Sequence, residues 1–516
     1  MFSKILNPLR LVLAATIIVF ASTNVSAYEI SGKAALSATV GSNDFAPYYF
    51  TANNFGVLTQ SKDILFNVGA FHPVDSTKRF SHSWGAEFYA GASSAAPYQY
   101  WDAAANPPAL TDRNVRPASF WIQQLWGEIK YRRIFVQAGM KPHASKILDN
   151  KLTGGDLVWS GNARPVPEVR AGFIDFVDIP LTKHWVQIEG VISYDWFTDN
   201  RWCEDHYNYY SQLIATGLKM CYKRISFRTN PEKPFFVIAS AQNVSTFGGT
   251  TKYYYRGTLS REVHNGNRFV DYLEALVPFP HGGAKDDYYP GDNKGSWDLR
   301  ANYRFKNNDV LSAYFQWLWE DSSGMAKKNG WDGLWGIQYS RGEKGWFNSA
   351  LIEYLDLTNM SGPFMWNAPD TPGTALEGNL AGGDNYYNNT FYRGYTNYGM
   401  TIGTPMVMGT VFQLNGSQLL CLNRVRGIHI AATGNIGANI EWLVKVGYRK
   451  AWGVPGTVYI LHPHHATSFM AEATWTPEKN RGFSFKAQIG FDKGNIPQNS
   501  FGCMLSVVFD RTFFKH

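Results

Sequence analysis

Catalysis would need a nucleophile beside a base, a facing pair of carboxylates or a metal cluster. This chain offers few such arrangements. Asp286-Asp287 and Glu204-Asp205 are adjacent acids. Glycoside cleavage, however, needs two carboxyls set across the scissile bond at a fixed separation. Neighbouring acids in a loop do not supply that, and they read as solvated groups. His462-Pro463-His464-His465 carries three imidazoles in an expected loop, without the carboxylate or helical spacing that zinc sites favour. There is no Gly-x-Ser-x-Gly elbow, P-loop or dinucleotide-binding glycine pattern. A surface hydrolase would require a pair brought together only by the fold. The residues therefore point to no catalytic group, no metal and no cofactor.

Binding chemistry is better represented. Asp384-Asn385-Tyr386-Tyr387-Asn388-Asn389 leads into Phe391-Tyr392-Arg393-Gly394-Tyr395-Thr396-Asn397-Tyr398-Gly399. Related stretches are His206-Tyr207-Asn208-Tyr209-Tyr210 and Lys252-Tyr253-Tyr254-Tyr255-Arg256. Tyrosine offers a flat apolar face with a polar tip, while Asn, Asp and Arg give directional hydrogen bonds. A sugar, with CH faces to stack and hydroxyls to bond, suits that mixture. Tyr386, Tyr387, Tyr392, Arg393, Tyr395 and Asn397 are the candidate contacts from the longest stretch. The competing reading for each tyrosine is an interfacial girdle or lumen packing.

A third segment runs from Gly154 through Ser160-Gly161-Asn162-Ala163-Arg164-Pro165-Val166-Pro167 to Arg170. Two prolines flanking Val166 exclude a central strand. Its density of Gly, Asn, Arg and Glu suits an ordered irregular segment, such as a plug, a lumen loop or a rim.

The elements that must position these groups are strands. Trp297, Leu299, Ala301, Tyr303 and Phe305 alternate with Asp298, Arg300, Asn302, Arg304 and Lys306. After Asn307-Asn308-Asp309, Leu311, Ala313, Phe315, Trp317 and Trp319 oppose Ser312, Gln316 and Glu320. The same period of two runs through residues 438–449 and 483–492. Further strands are expected at 63–71, 84–92, 123–131, 134–139, 185–194 and 235–241. Others are expected at 331–339, 346–355, 427–432, 466–475 and 503–513. Connections at 306–309, 341–345, 434–437 and 477–481 are turn-like, whereas 198–233, 251–295, 358–425 and 451–465 are long. Strands can hide in the longest of these, since a structureless loop of that length is uncommon.

Lys4 and Arg10 precede the apolar run from Leu11 to Phe20, and Val25-Ser26-Ala27 follows. This is a secretory signal, with cleavage expected after Ala27 and residues 28–516 forming one domain. Aromatic residues make up 16% and charged residues only 17% of the chain. A soluble domain rarely spends so many rings, whereas a lipid-facing barrel needs an apolar band and two aromatic girdles. No later segment is apolar enough for a membrane helix. The net charge of +7 is too mild to imply a nucleic-acid partner. Cys203 and Cys221 could close a loop in an oxidising envelope, or all four cysteines could be free. The aromatic-ended final strand resembles a signal for barrel-insertion machinery, although Lys515 and His516 follow Phe514.

The segment from Gly155 to Arg170 resembles the Asn-Ala-Arg-Pro-x-Pro signature of the capsule assembly (Wzi) family. Tyr395-Thr396-Asn397-Tyr398-Gly399 and Gly403-Thr404-Pro405 resemble a later block of that family. The resemblance implies an all-β fold: a transmembrane antiparallel β-barrel of about 18 strands, its lumen plugged by irregular or short helical segments on the periplasmic side. It also implies an outer-membrane lectin that binds capsular or extracellular polysaccharide and supports capsule assembly. Asn162 and Arg164, with Pro165 and Pro167, carry over as family signature residues. The alternative is a porin-like channel for small solutes or oligosaccharides, with Arg300, Arg304, Lys445 and Arg449 lining a conducting lumen.

Overall fold

The structure, a computed structural model, describes residues 29–277, 291–362, 383–455, 462–479 and 481–513. The signal segment, Asp286-Asp287 and Phe514 to His516 lie outside these described residues. Among the described residues no helix is long and apolar enough to cross a membrane.

Eighteen antiparallel strands form one closed barrel. The first nine are β1 (Ser31–Gly41), β2 (Asp63–His72), β3 (Phe80–Ser93), β4 (Phe120–Tyr131), β5 (Ile134–Met140), β6 (Glu168–Phe173), β7 (Val186–Trp196), β8 (Lys219–Thr229) and β9 (Phe235–Phe247). The second nine are β10 (Asp292–Arg304), β11 (Val310–Trp319), β12 (Gly333–Ser340), β13 (Ser349–Asp356), β14 (Val425–Ile436), β15 (Ile440–Ala451), β16 (His464–Trp475), β17 (Phe483–Gly494) and β18 (Ser500–Thr512). Val177–Asp178 prolongs the β6 edge against β7. The cylinder closes where β1 pairs with β18, from Ser31 opposite Thr512 to Gly41 opposite Gly502.

Alternation determines which face each residue takes. On β4, Ile129 is 56% exposed while its neighbours Glu128 and Lys130 are 7% and 2% exposed. Leu299, Ile337, Ile352, Ile489 and Leu505 likewise point outward. In water such a continuous apolar belt would drive aggregation; against lipid tails it is the stable surface. Phe80, Tyr131, Trp185, Phe235, Trp346 and Trp475 are exposed around the short-turn end, as an interfacial girdle requires. The longest connections emerge at the other end, where only the one between β17 and β18 is short, while residues 174–185 between β6 and β7 make the longest connection at the short-turn end. Short turns mark the periplasmic side of such barrels and long loops the extracellular side.

One irregularity in the wall matters for the site. Glu87 pairs with Gln124 and Phe88 with Ile122, so Gln123 is an extra residue in β4. Such a bulge re-aims side chains, and here it turns both Trp121 and Gln123 into the lumen.

Three strands went unrecognised in the sequence. β8 lies inside the stretch read as the loop 198–233. Lys219, Lys223, Arg224 and Arg228 break its apolar rhythm, although Ile225 and Phe227 face outward. β1 is built largely from Gly, Ala and Ser, so its two faces differ little. β6 has six residues, immediately after the two prolines. His464 and His465, read as loop, begin β16. All four cysteines are free, and Cys203 and Cys221 pack in separate apolar clusters.

Candidate functional site: lumen plug and extracellular cap

The two segments that carry the family resemblance fold against each other inside the barrel. Ser160 donates from its backbone N–H to the Ile402 carbonyl at 2.9 Å, and from its hydroxyl to the Gly403 carbonyl at 2.7 Å. Asn162 Nδ2 donates to the Thr401 carbonyl at 2.9 Å, and Asn397 Nδ2 to the Arg164 carbonyl at 2.9 Å. The packing is close: a Cβ on Gly155, whose φ is +126°, would lie 2.4 Å from Pro405 Cδ. The backbone of the β1–β2 connection joins them, with Phe55 N–H donating to the Gly161 carbonyl at 2.7 Å. These three chain segments make the plug.

The plug is bonded to the barrel wall through the inward polar faces. Asp156 accepts from Gln316 Nε2 at 2.9 Å and from Gln242 Nε2 at 3.1 Å. Glu353 on β13 accepts from Thr153 Oγ1 and Gly154 N–H, each at 2.6 Å, and from the Tyr314 hydroxyl at 2.5 Å. His429 bridges the Leu152 carbonyl at 2.7 Å and the Tyr49 hydroxyl at 2.8 Å. Arg300 donates to the Ile147 carbonyl at 2.6 Å, and Arg449 to the Pro405 and Ile496 carbonyls at 3.3 and 3.1 Å. Two of the arginines expected along a conducting lumen are thus spent on the plug. Pairing is what makes buried polar groups tolerable, and these bonds pair groups of the plug with groups of the wall.

Most of the candidate sugar contacts lie inside this plug. Tyr386 and Tyr387 are fully buried, and Tyr395, Asn397 and Asn162 nearly so. The Tyr386 hydroxyl donates to Asp332 at 2.9 Å and the Tyr387 hydroxyl to the Leu157 carbonyl. Tyr395 stacks on Tyr387 with centroids 6.0 Å apart. Arg164 lies between the Trp121 and Tyr398 rings, 4.6 and 4.7 Å from their centroids. Two cavities beside the plug, one of them lined by Asn162, measure about 10 and 20 Å³, room for about one water each. These buried residues hold the plug in shape. Tyr392 and Arg393 are half-buried near its upper surface, with Arg393 Nε 3.4 Å from the Leu213 carbonyl.

The other aromatic stretches form a cap over the extracellular mouth. The β3–β4 connection contributes a hairpin, Ala96–Asp102 paired with Ala109–Val115. Leu213–Thr216, Thr250–Tyr255 and Thr258–His264 make a three-stranded sheet from two further loops. Trp101 N–H donates to the Asn208 carbonyl at 2.9 Å, and Asn208 N–H to the Gly416 carbonyl at 2.9 Å. Four loops are therefore tied together by backbone bonds.

On this cap the Trp101 and Tyr210 rings lie 4.7 Å apart, tilted 35° to each other and, like Tyr392 and Arg393, partly exposed. Trp101 lies directly on Gly257, where any Cβ would collide with the indole. Arginines cover neighbouring rings: Arg113 over Tyr100 at 5.1 Å, Arg261 over Tyr253 at 5.4 Å and Arg256 over the exposed Tyr255 at 5.4 Å. Glu204 and Asp205 lie on the short helix Asn200–His206, where their backbone carbonyls accept from Arg113. In the same helix burial lowers His206 to about 4, so its ring is neutral where it stacks 3.9 Å from Trp202. Trp101 ends the run Tyr98-Gln99-Tyr100-Trp101, which the sequence reading passed over, and Arg113 stands in no aromatic run.

No protein-family profile matches this chain, and no curated protein matches it. Among solved structures it is similar to Wzi of Escherichia coli, described as an outer-membrane protein involved in group 1 capsule assembly and a carbohydrate-binding β-barrel. That likeness has 12% identity and a TM-score of 0.53, over 98% of this chain and 88% of that one. It is also similar to OccK5 of Pseudomonas aeruginosa, with 7% identity and a TM-score of 0.44 over 95% and 99% of the two chains. OccAB2 of Acinetobacter baumannii gives 10% identity and 0.46, over 95% and 99%. At these identities the likeness shows the fold, that of an outer-membrane β-barrel.

Proposed function

We propose that this outer-membrane barrel binds a capsular or extracellular polysaccharide on its extracellular cap, supports capsule assembly or attachment, and carries out no chemistry on the glycan. The observation that carries this reading is the partly exposed Trp101–Tyr210 platform, fixed on a cap of four interlocked loops above a plugged lumen. Flat rings receive the CH faces of a sugar, and the adjoining guanidiniums and amides bond its hydroxyls. Rigidity matters because a preformed surface loses little conformational entropy on binding. The carbohydrate binding described for the similar Wzi barrel supports the same reading. In this account the chain is exported, loses residues 1–27, and is inserted into the outer membrane by barrel-insertion machinery.

The test is a pull-down of the purified full-length protein with capsular and exopolysaccharide from its own cell, together with gene deletion. Retention of the polysaccharide and its loss from the surface of the deletion strain are expected. No retention, with unchanged surface polysaccharide, would end the proposal. A sizeable current in a planar bilayer would favour the porin-like channel instead.

A further inference from the structure

We propose that the lipid-facing surface of β10 to β13 seats one phosphorylated acyl glycolipid of the outer leaflet. Its acyl chain lies in a groove of the wall, and its phosphate meets Lys327 and Lys328. The wall there is recessed into a groove of about 530 Å³, within the usual range for ligand sites. Its floor is Ala301 and Ala313, which are directly paired across β10 and β11. Leu299, Phe315 and Trp335 stand one step nearer the extracellular end, and Ile337 and Ile352 close the far side. The Phe315 and Trp335 rings are only 4.0 Å apart, so large stacked side chains border a floor of methyl groups.

The rim above the groove is cationic. Lys327 Nζ lies 3.9 Å from the Trp317 centroid and 5.4 Å from that of Phe315, and Lys328 is exposed beside it. Nearby carboxylates are occupied elsewhere. Asp332 accepts from the Asn359 and Met360 N–H groups, Asp356 pairs with Arg426, and Asp321 accepts from Ser323. Lys327 Nζ donates to the Asp332 backbone carbonyl at 3.3 Å, and neither lysine forms an ion pair with a carboxylate among the described residues. From Ala313 to Trp317 the strand runs about 13 Å, a rise of about 10 Å along the membrane normal at the tilt of such strands, against roughly 15 Å of hydrocarbon in one leaflet. A chain seated on the alanines would therefore bring its headgroup to the lysines. A phosphate answers the two ammonium groups as charge complementarity demands, whereas a zwitterionic lipid brings its own cation.

Native mass spectrometry of the full-length protein, extracted in mild detergent and titrated with lipid A, tests this. One bound lipid A is expected, with at least tenfold less retained after Ala313→Phe, which fills the groove, and after the double change K327Q/K328Q. Dephosphorylated lipid A should bind the unaltered protein at least tenfold more weakly. Equal retention of lipid A and phosphatidylethanolamine, or undiminished binding by A313F, would overturn the proposal. So would a protein dimer that A313F dissolves. If A313F fails to show the heat-modifiable migration of a folded barrel, the comparison of phosphorylated and dephosphorylated lipid on the unaltered protein decides alone.

Discussion

The Tyr387 hydroxyl donates to the Leu157 carbonyl oxygen at 2.6 Å, joining residues 230 positions apart in the chain. Both are fully buried, so the bond welds the β13–β14 connection to the β5–β6 connection. Tyr387→Phe leaves the Leu157 carbonyl without that donor, and such a loss costs about 1–3 kcal/mol. The variant should unfold at a lower denaturant concentration, as read by loss of heat-modifiable migration. An unchanged midpoint would remove this bond from the plug's supports.

Removing the stopper should change what crosses the barrel. Deleting residues 145–160 takes away Asp156 and two of the three donors to Glu353, leaving only Tyr314. The intact protein should be silent in a planar bilayer, and the deletion should pass stepwise currents. Equal conductance in the two would mean that the plug does not seal the lumen.

On the cap, Trp101→Ala and Tyr210→Ala should each weaken polysaccharide binding about tenfold, near 1.4 kcal/mol. Tyr387→Phe, deep in the plug, should leave that affinity unchanged. Isothermal titration on the three variants separates a glycan-binding surface from a merely structural one.

Burial raises Asp199 to about 6, partly opposed by the Tyr398 N–H that donates to its carboxylate. The folded state thus holds a proton more tightly than the unfolded one. The stability this adds is complete below the unfolded value near 3.8 and is lost as pH rises through about 6. The denaturant midpoint of unfolding should fall between pH 4 and pH 6, and Asp199→Asn should flatten that profile. A profile that is unchanged in the variant would assign the effect to another group.

Thiol counting tests the cysteine chemistry. Unfolded without reductant, the protein should react at all four of Cys203, Cys221, Cys421 and Cys503. Two reactive thiols would reveal a disulfide instead.

The barrel was legible because lipid on one face and a polar lumen on the other impose the same alternation on most strands. It failed where that contrast was weak, as in the Gly, Ala and Ser of β1, or masked by basic residues, as in β8. The site was harder to read. Tyr386, Tyr387, Tyr395 and Asn397 have the composition of a sugar surface, yet the same ring-and-amide chemistry serves equally well to glue a buried plug. Which tyrosine run lies inside and which outside depends on loops meeting across long stretches of chain. The run Tyr98-Gln99-Tyr100-Trp101 does not reveal which ring is displayed, because the partner of Trp101, Tyr210, comes from a different loop.

The plug also constrains the order of assembly. Its anchors Gln123, Gln242, Glu353 and Asp492, the last accepting from the Tyr48 N–H, stand on β4, β9, β13 and β17, on well-separated parts of the circumference. A stopper bonded to so much of the wall cannot be threaded in once β1 and β18 have zipped together. The cylinder must be wrapped around its own filling, and the seam between the first and last strands sealed only after the interior is in place.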